Sequence, residues 1–266
     1  MSTPSNPLGD GHYARKQLYC PSRVVAWSHG SRFRLALQLA LEKRAGLGRH
    51  GPGEAGTLLD YGCGDGTFVA MVREHFRATV GADVDVGQIV DCRRRFGSLP
   101  DVTFVATATL DADSHSHAYD VVTCMEVLEH CADAERIRVL DALGHCVRAG
   151  GRIIVSVPIE IGPALVGKQF FRALAAWRGH GDYRYRETYT PREMMRAVLA
   201  RPPLARAVYT VDGPAGAQTY CGHKGFDWRQ LEREVRARFT VERRMFSPLP
   251  LLGPVLNSQV WFVCRA

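Results

Sequence analysis

Apolar and polar positions along this chain follow two alternating rhythms. Short apolar or β-branched runs at 57–61, 78–83, 102–106, 119–124 and 151–157 each have strand length. The segments at 67–76, 86–96 and 134–147 instead space their apolar residues at helical intervals. Strands alternating with helices at this spacing predict a parallel, doubly wound α/β sheet with right-handed crossovers. Such a sheet binds ligands beyond the carboxyl ends of its strands, at the switch point between the first and fourth. Upstream, Val24, Val25 and Trp27, then Phe33, Leu35, Leu37, Leu39 and Leu41, fit one or two amphipathic helices between residues 12 and 47. Downstream of Pro158 the alternation stops. Thr190, Pro191 and Glu193 have the spacing of a capping box, so a helix starts there. The close of the chain reads as a short strand at 207–211, a Gly-rich loop, a helix at 227–238 begun by Asp227, and strands at 240–246 and 258–264. The expected organisation is a polar tail at 1–11, a helical cap at 12–50 and one α/β domain at 51–266. An insertion at about 159–200 would form a lid over the substrate.

The densest signal is Thr57-Leu-Leu-Asp-Tyr-Gly-Cys-Gly-Asp-Gly-Thr67. A buried strand runs into Asp60, and Gly62, Gly64 and Gly66 then alternate with short residues ahead of the helix. Alternate glycines permit positive φ and let a ligand approach the main chain, while the helix start offers free N–H groups. Asp83 ends the next strand, where doubly wound nucleotide folds place the carboxylate that takes the ribose hydroxyls. Asp85 has the position of an N-cap. The spacing is neither the dinucleotide G-x-G-x-x-G nor a triphosphate-binding loop.

This stretch resembles motif I of the class I S-adenosylmethionine-dependent methyltransferases. Tyr119-Asp-Val-Val-Thr-Cys-Met-Glu-Val-Leu-Glu-His130 and Val147-Arg-Ala-Gly-Gly-Arg-Ile-Ile-Val-Ser-Val-Pro158 look like later motifs of the same family, in the same order. The ubiquinone-biosynthesis type is the branch they most resemble. The resemblance implies a mostly parallel seven-stranded Rossmann-like sheet, its last two strands forming an antiparallel edge pair. It also implies S-adenosyl-L-methionine as cofactor. Asp60 would orient the amino-acid end of the cofactor, main-chain groups of Gly62, Cys63 and Gly64 would line it, Asp83 would hold the ribose, and Val84 would pack on the adenine. Cys124 and Met125, at the end of the fourth strand, join the cofactor-binding set. The chain departs from the family at Val105–Leu110, which has no acid for the adenine amine.

Glu126, Glu129 and His130 stand at i, i+3 and i+4, which on a helix is one face. The run is also similar to that of metal-dependent small-RNA 2′-O-methyltransferases, but metal-free relatives carry it too, and no metal is expected. A general base is needed only for a protonated acceptor. His130, His180 and His223 are the candidates. Phe170, Phe171, Trp177, Tyr183, Tyr185 and Tyr189 suit a lid over an apolar or ring-bearing small molecule.

Composition modifies this picture little. The formal net charge is +7, carried mostly by arginine, which adds slight weight to nucleic acid as a partner. Eight scattered cysteines without a C-x-x-C pair point to reduced core thiols. No run of about 18 apolar residues is present, and the N-terminus lacks a basic-then-apolar leader, so a cytoplasmic protein without a membrane partner is expected. The leading expectation is methyl transfer to an oxygen or carbon nucleophile of a small molecule. Its rivals are an RNA 2′-O-methyltransferase and a non-catalytic cofactor-binding protein. The oligomeric state is left open.

Overall fold

The computed structural model describes residues 10–20, 22–42, 56–177, 187–201, 204–213 and 216–266. Strands β1 (Thr57–Tyr61), β2 (Ala78–Asp83), β3 (Val102–Ala106), β4 (Tyr119–Met125), β5 (Val147–Pro158), β8 (Thr240–Ser247) and β9 (Gln259–Arg265) form a sheet of order β3-β2-β1-β4-β5-β9-β8. β1 pairs in parallel with β2 and β4, β2 with β3, and β8 and β9 are antiparallel. The expected mostly parallel, doubly wound sheet is therefore present. β6 (Val208–Gly213) and β7 (Gly216–Cys221) make a separate antiparallel ribbon. Helices are α1 (Arg23–Leu41), α2 (Thr67–Val72), α3 (Val86–Phe96), α4 (Asp133–Cys146), α5 (Ala164–Trp177), α6 (Pro191–Val198) and α7 (Trp228–Arg236).

The chain divides into two compact units. One comprises residues up to Cys124 with Ala142–Ile154 and Ala266, the other Met125–Asp141 with Val155–Arg265. In the first, Val69, Ile89, Cys92, Phe96 and Phe104 form a core cluster between the helices and the strands. Burying side chains of this size contributes about 1.5–3 kcal/mol each. α1 belongs to this unit: Phe33 lies 5.3 Å from Phe68, centroid to centroid, and Arg152 donates to the carbonyls of Leu39 and Glu42 at 2.7 Å. In the second, Leu165, Ala197 and Leu204 form a seam, and Val235 and Leu231 bury the inner face of α7.

Local chemistry sets the helix starts as expected. Asp85 caps α3 by accepting from Gly87 and Gln88 N–H, and Asp227 caps α7 by accepting from Arg229 N–H. Thr190 and Glu193 complete a reciprocal capping box on α6. Two boundaries differ. The segment at 67–76 is helical only to Val72 and tightens to a 3-10 turn at Arg73–His75, and β5 begins at Val147, not 151.

Candidate functional site

In the first unit the turn after β1 is fastened to the end of β2. The N–H groups of Gly62 and Cys63 both donate to Ala82 O, at 2.7 and 3.0 Å. Gly64 N–H donates to Asp83 Oδ2 at 2.8 Å, and Asp85 N–H to Asp83 Oδ1 at 2.9 Å. One carboxylate thus joins the glycine turn to the start of α3.

The glycines have different reasons to be there. Gly66 has φ 72°, and a Cβ on it would stand 2.7 Å from the Phe104 ring, so internal packing demands it. Gly64 has φ 53°, but its missing Cβ points to open space, nothing being nearer than Gln88 Oε1 at 3.8 Å. That bare main chain beside Asp83 is where a ligand can lie against the backbone. Val84, 57% exposed, offers an apolar surface next in the chain. Cys63 and Cys124 are buried, and Met125 is half-buried. The arrangement fits a nucleoside cofactor: bare backbone, a carboxylate with lone pairs to spare, and an apolar ledge.

Asp60 sits beneath the turn, 2% exposed, and accepts from Thr123 Oγ1 at 2.7 Å. Burial raises its pKa to about 7; the Thr123 hydroxyl opposes that and the Asp83 charge adds to it. Burial likewise raises Asp83, against N–H donation from Asp85 and Gly64. The sign of the pH dependence follows. Asp60 holds its proton better folded than unfolded, so its contribution to stability is complete below pH about 4 and is lost as pH rises through about 7. At pH 8 the ionised, buried carboxylate costs on the order of 4 kcal/mol. Asp60→Asn is expected to raise the thermal midpoint at pH 8 and leave it little changed at pH 5, as calorimetric melting would show.

Asp65 was not singled out in the sequence, yet it is the most heavily bonded carboxylate of the turn. Its Oδ2 accepts from Tyr13 and Ala14 N–H at 2.9 and 3.1 Å, and its Oδ1 from Thr67 N–H at 3.2 Å and Thr67 Oγ1 at 2.7 Å. The N-terminal segment is pinned to the glycine turn by this one side chain. Behind it, His29 Nδ1 meets Tyr13 Oη at 2.7 Å and Arg32 Nη2 at 3.0 Å. Arginine can only donate, so Nδ1 is the acceptor, and burial with the Arg32 charge lowers the His29 pKa to about 3. Tyr13 and Arg32 thus both bond to His29.

In the second unit the expected helical face at Glu126, Glu129 and His130 does not form. Glu126 has φ 57°, a left-handed conformation that costs about 1–3 kcal/mol, and Leu128–His130 is a single 3-10 turn. The Glu126 N–H donates to Ser156 O at 2.9 Å, which holds the chain in this bend. The bend separates Glu126 from the other two, and a residue from far along the chain joins them. His130 packs edge-on against His223, centroids 4.7 Å apart at 87°. His130 Nδ1 faces Cys221 O at 3.3 Å, so that nitrogen carries the proton and Nε2 keeps its lone pair, 3.9 Å from the buried Glu129 Oε1. Burial, the His223 ring and Arg206 lower its pKa to about 4. His223 Nδ1 stands 3.5 Å from Glu160 Oε1. Glu160, fully buried, also takes Lys168 Nζ at 2.6 Å and both Arg172 nitrogens at 2.9 and 3.3 Å. These cations hold its carboxyl well below the usual range in spite of burial.

Arg206 closes the cluster. It donates to Cys131 O at 3.1 Å, to Gly222 O at 3.1 and 3.3 Å and to Glu129 O, and stacks over Phe226. That one guanidinium bonds carbonyls from both the His130 and the His223 segments. Neither Arg206 nor Glu160 was found by sequence reasoning, since their partners lie 16–77 and 8–63 residues away, respectively. His180 lies outside the described residues, as do Tyr183 and Tyr185. Glu129, His130 and His223 bring one carboxylate oxygen and two imidazole nitrogens within 4.8 Å of one another, a donor set that suits a divalent ion.

Residues 59–153 match a family model described as a methyltransferase domain. The ubiquinone biosynthesis O-methyltransferase of Pectobacterium atrosepticum is 29% identical over 151 residues, covering 54% of this chain and 61% of that protein. The enzyme of the same name from Serratia proteamaculans is 37% identical over 105 residues, 38% of this chain and 42% of that one. The chain therefore spans less than two thirds of the length of these relatives. The crystal structure of PH0226 protein from Pyrococcus horikoshii OT3 superposes with a TM-score of 0.56 at 14% identity, covering 92% of both chains, which shows the fold. Over residues 59–153, which hold the glycine turn and the acid ending β2, this chain carries a methyltransferase domain.

Proposed function

We propose that this protein transfers a methyl group from S-adenosylmethionine to a hydroxyl or carbon nucleophile of a small molecule in the cytoplasm. The observation that carries the reading is the open backbone at Gly64 bonded to the half of Asp83 that faces it, within a matched methyltransferase domain. S-adenosylmethionine supplies an electrophilic methyl on a cationic sulfur, and the protein's work is to align the two reactants and exclude water. Asp83 accepts the ribose hydroxyls through lone pairs left by the Gly64 and Asp85 N–H groups. Main-chain groups of Gly62, Cys63 and Gly64 line the amino-acid end, and ionised Asp60 favours its ammonium. Val84 lies against the adenine. In this reading cofactor binding draws a proton off Asp60, so affinity rises with pH through about 7.

His130 is the base for a hydroxyl acceptor. It is neutral above pH about 4, its Nε2 lone pair is available, and buried Glu129 stands ready for the imidazolium formed when it takes the proton. Arg206 is a positioning residue for the pair His130 and His223. Arg206→Ala is expected to lower kcat roughly ten- to a hundredfold while the cofactor Kd stays unchanged, and Arg206→Lys to recover part of the loss. Comparing steady-state turnover with calorimetric Kd separates this from a general loss of folding.

A second reading is favoured by the donor set at Glu129, His130 and His223: a divalent ion held there would bind and acidify the acceptor hydroxyl. Incubation with methyl-labelled S-adenosylmethionine, phenolic and other small acceptors and an RNA oligonucleotide, with and without chelator, tests both. Label in a small molecule regardless of chelator supports the first reading. Loss of transfer on chelation supports the second, and label in RNA alone contradicts the small-molecule assignment.

A further inference from the structure

Two carboxylates grip the glycine turn. Asp83 takes the Gly64 and Asp85 N–H groups. Asp65, the residue after Gly64, is buried and divides its two oxygens between two tasks. Oδ1 serves the start of α2, through Thr67 N–H and Oγ1. That duty is local. Oδ2 accepts from Tyr13 and Ala14 N–H instead, across 52 and 51 residues of chain. The Asp65 carbonyl takes Arg95 of α3. The N-terminal segment, α2 and α3 therefore all meet the turn at this one residue.

The N-terminal segment is shaped for the contact. A Cβ on Gly11 would stand 2.2 Å from Asp65 Oδ2, 2.9 Å from its Cγ and 3.2 Å from Arg95 Nη1. Gly11 does not have a left-handed φ, so closeness to these side chains, and not backbone conformation, requires glycine there. Ala14 is fully buried, and the Tyr13 ring lies 5.6 Å from Phe33, which lies 5.3 Å from Phe68 of α2. Residues 11–14 are thus seated on the turn by two hydrogen bonds to a carboxylate and a row of rings.

What fixes Asp65 also restrains Gly64. The two share a planar peptide, and glycine has more backbone freedom to lose than any other residue. Holding the turn in its bound form before the ligand arrives removes that cost from binding. We propose that Asp65 is a positioning residue for the cofactor: by clamping residues 11–14 to the turn it keeps Gly64 in the ligand-receiving conformation. The inference rests on the reading that S-adenosylmethionine lies against Gly64. Coupling of this kind is reciprocal, so bound cofactor in turn holds the N-terminal segment more firmly.

The test uses the full chain and S-adenosylhomocysteine, with two readouts: the rate of ligand release and the rate of tryptic cleavage after Arg15 and Lys16. In the parent chain, saturating ligand is expected to slow that cleavage about tenfold. In Asp65→Ala, release is expected to quicken and Kd to rise by about tenfold or more, and the protection by ligand to fall by a similar factor. Asp65→Asn, which keeps one carbonyl acceptor, should recover part of the loss. Gly11→Ala should reproduce the effect with the turn's own sequence intact. Circular dichroism confirms that each variant is folded. Cleavage indifferent to bound ligand in the parent overturns the proposal, as does parental ligand release from folded Asp65→Ala and Gly11→Ala proteins. A parent chain that binds no S-adenosylhomocysteine overturns it together with the methyl-transfer reading, which the other two outcomes leave standing.

Discussion

Replacing Asp83 with alanine is expected to raise the Kd for S-adenosylmethionine by roughly a hundredfold or more. Two ribose hydroxyls donating to a charged acceptor contribute about 1.5–3 kcal/mol each, and both bonds vanish together. The same substitution strips the Gly64 and Asp85 N–H groups of their acceptor, so part of the loss comes from a loosened turn. Asp83→Asn separates the two effects. Its carbonyl oxygen keeps one of those backbone bonds, but the amide presents donors where hydroxyl donors arrive. Weak binding in a folded Asp83→Asn protein assigns the loss to the ribose. Retained affinity in both variants would show that the sugar is held elsewhere.

The second large effect is expected at His130. His130→Ala should reduce kcat by about a hundredfold to ten thousandfold for a hydroxyl acceptor, the range associated with a lost general base, with little change in cofactor Kd. His223→Ala should cost less, because the edge-on ring supports His130 and does not take the proton in this reading. The pH profile gives an independent check. A base must be neutral to act, and burial has moved the His130 pKa down to about 4, so its protonation should depress kcat only near and below that pH. An ordinary exposed histidine would show the loss near pH 6.5. A profile unaffected by His130→Ala would remove this residue from the chemistry.

Much of the first unit was legible because its determinants are local. The strand-turn-helix around Gly62–Gly66 and the cap at Asp85 depend on residues within three or four positions, as do the caps at Thr190 and Asp227 in the second unit. Asp65 escaped notice although it lies inside the motif, since the main-chain donors it serves belong to Tyr13 and Ala14, more than fifty residues earlier. The second unit was less legible. Spacing alone put Glu126, Glu129 and His130 on one helical face, and the left-handed bend at Glu126 breaks that inference. β7 was read as loop, but it pairs with β6 in an antiparallel ribbon. Glu160 and Arg206 owe their roles to side chains and carbonyls gathered from several elements, which no periodicity encodes.

α5 shows the converse. Its aromatic residues were read as part of a lid over an acceptor, and Glu160, which claims the helix's two cations, decides which face is inside. Phe170 and Trp177 consequently face solvent. One buried carboxylate outweighs the hydrophobic pattern because leaving it unpaired would cost several kcal/mol, more than exposing an aromatic ring.

The central claim is that the Gly64–Asp83 cradle receives a sulfonium nucleoside, and isothermal titration of the purified chain with S-adenosylmethionine and S-adenosylhomocysteine tests it most directly. The account predicts saturable binding of both at one site per chain, with affinity for S-adenosylmethionine increasing as pH rises through about 7. Heat of dilution alone for both ligands would contradict it.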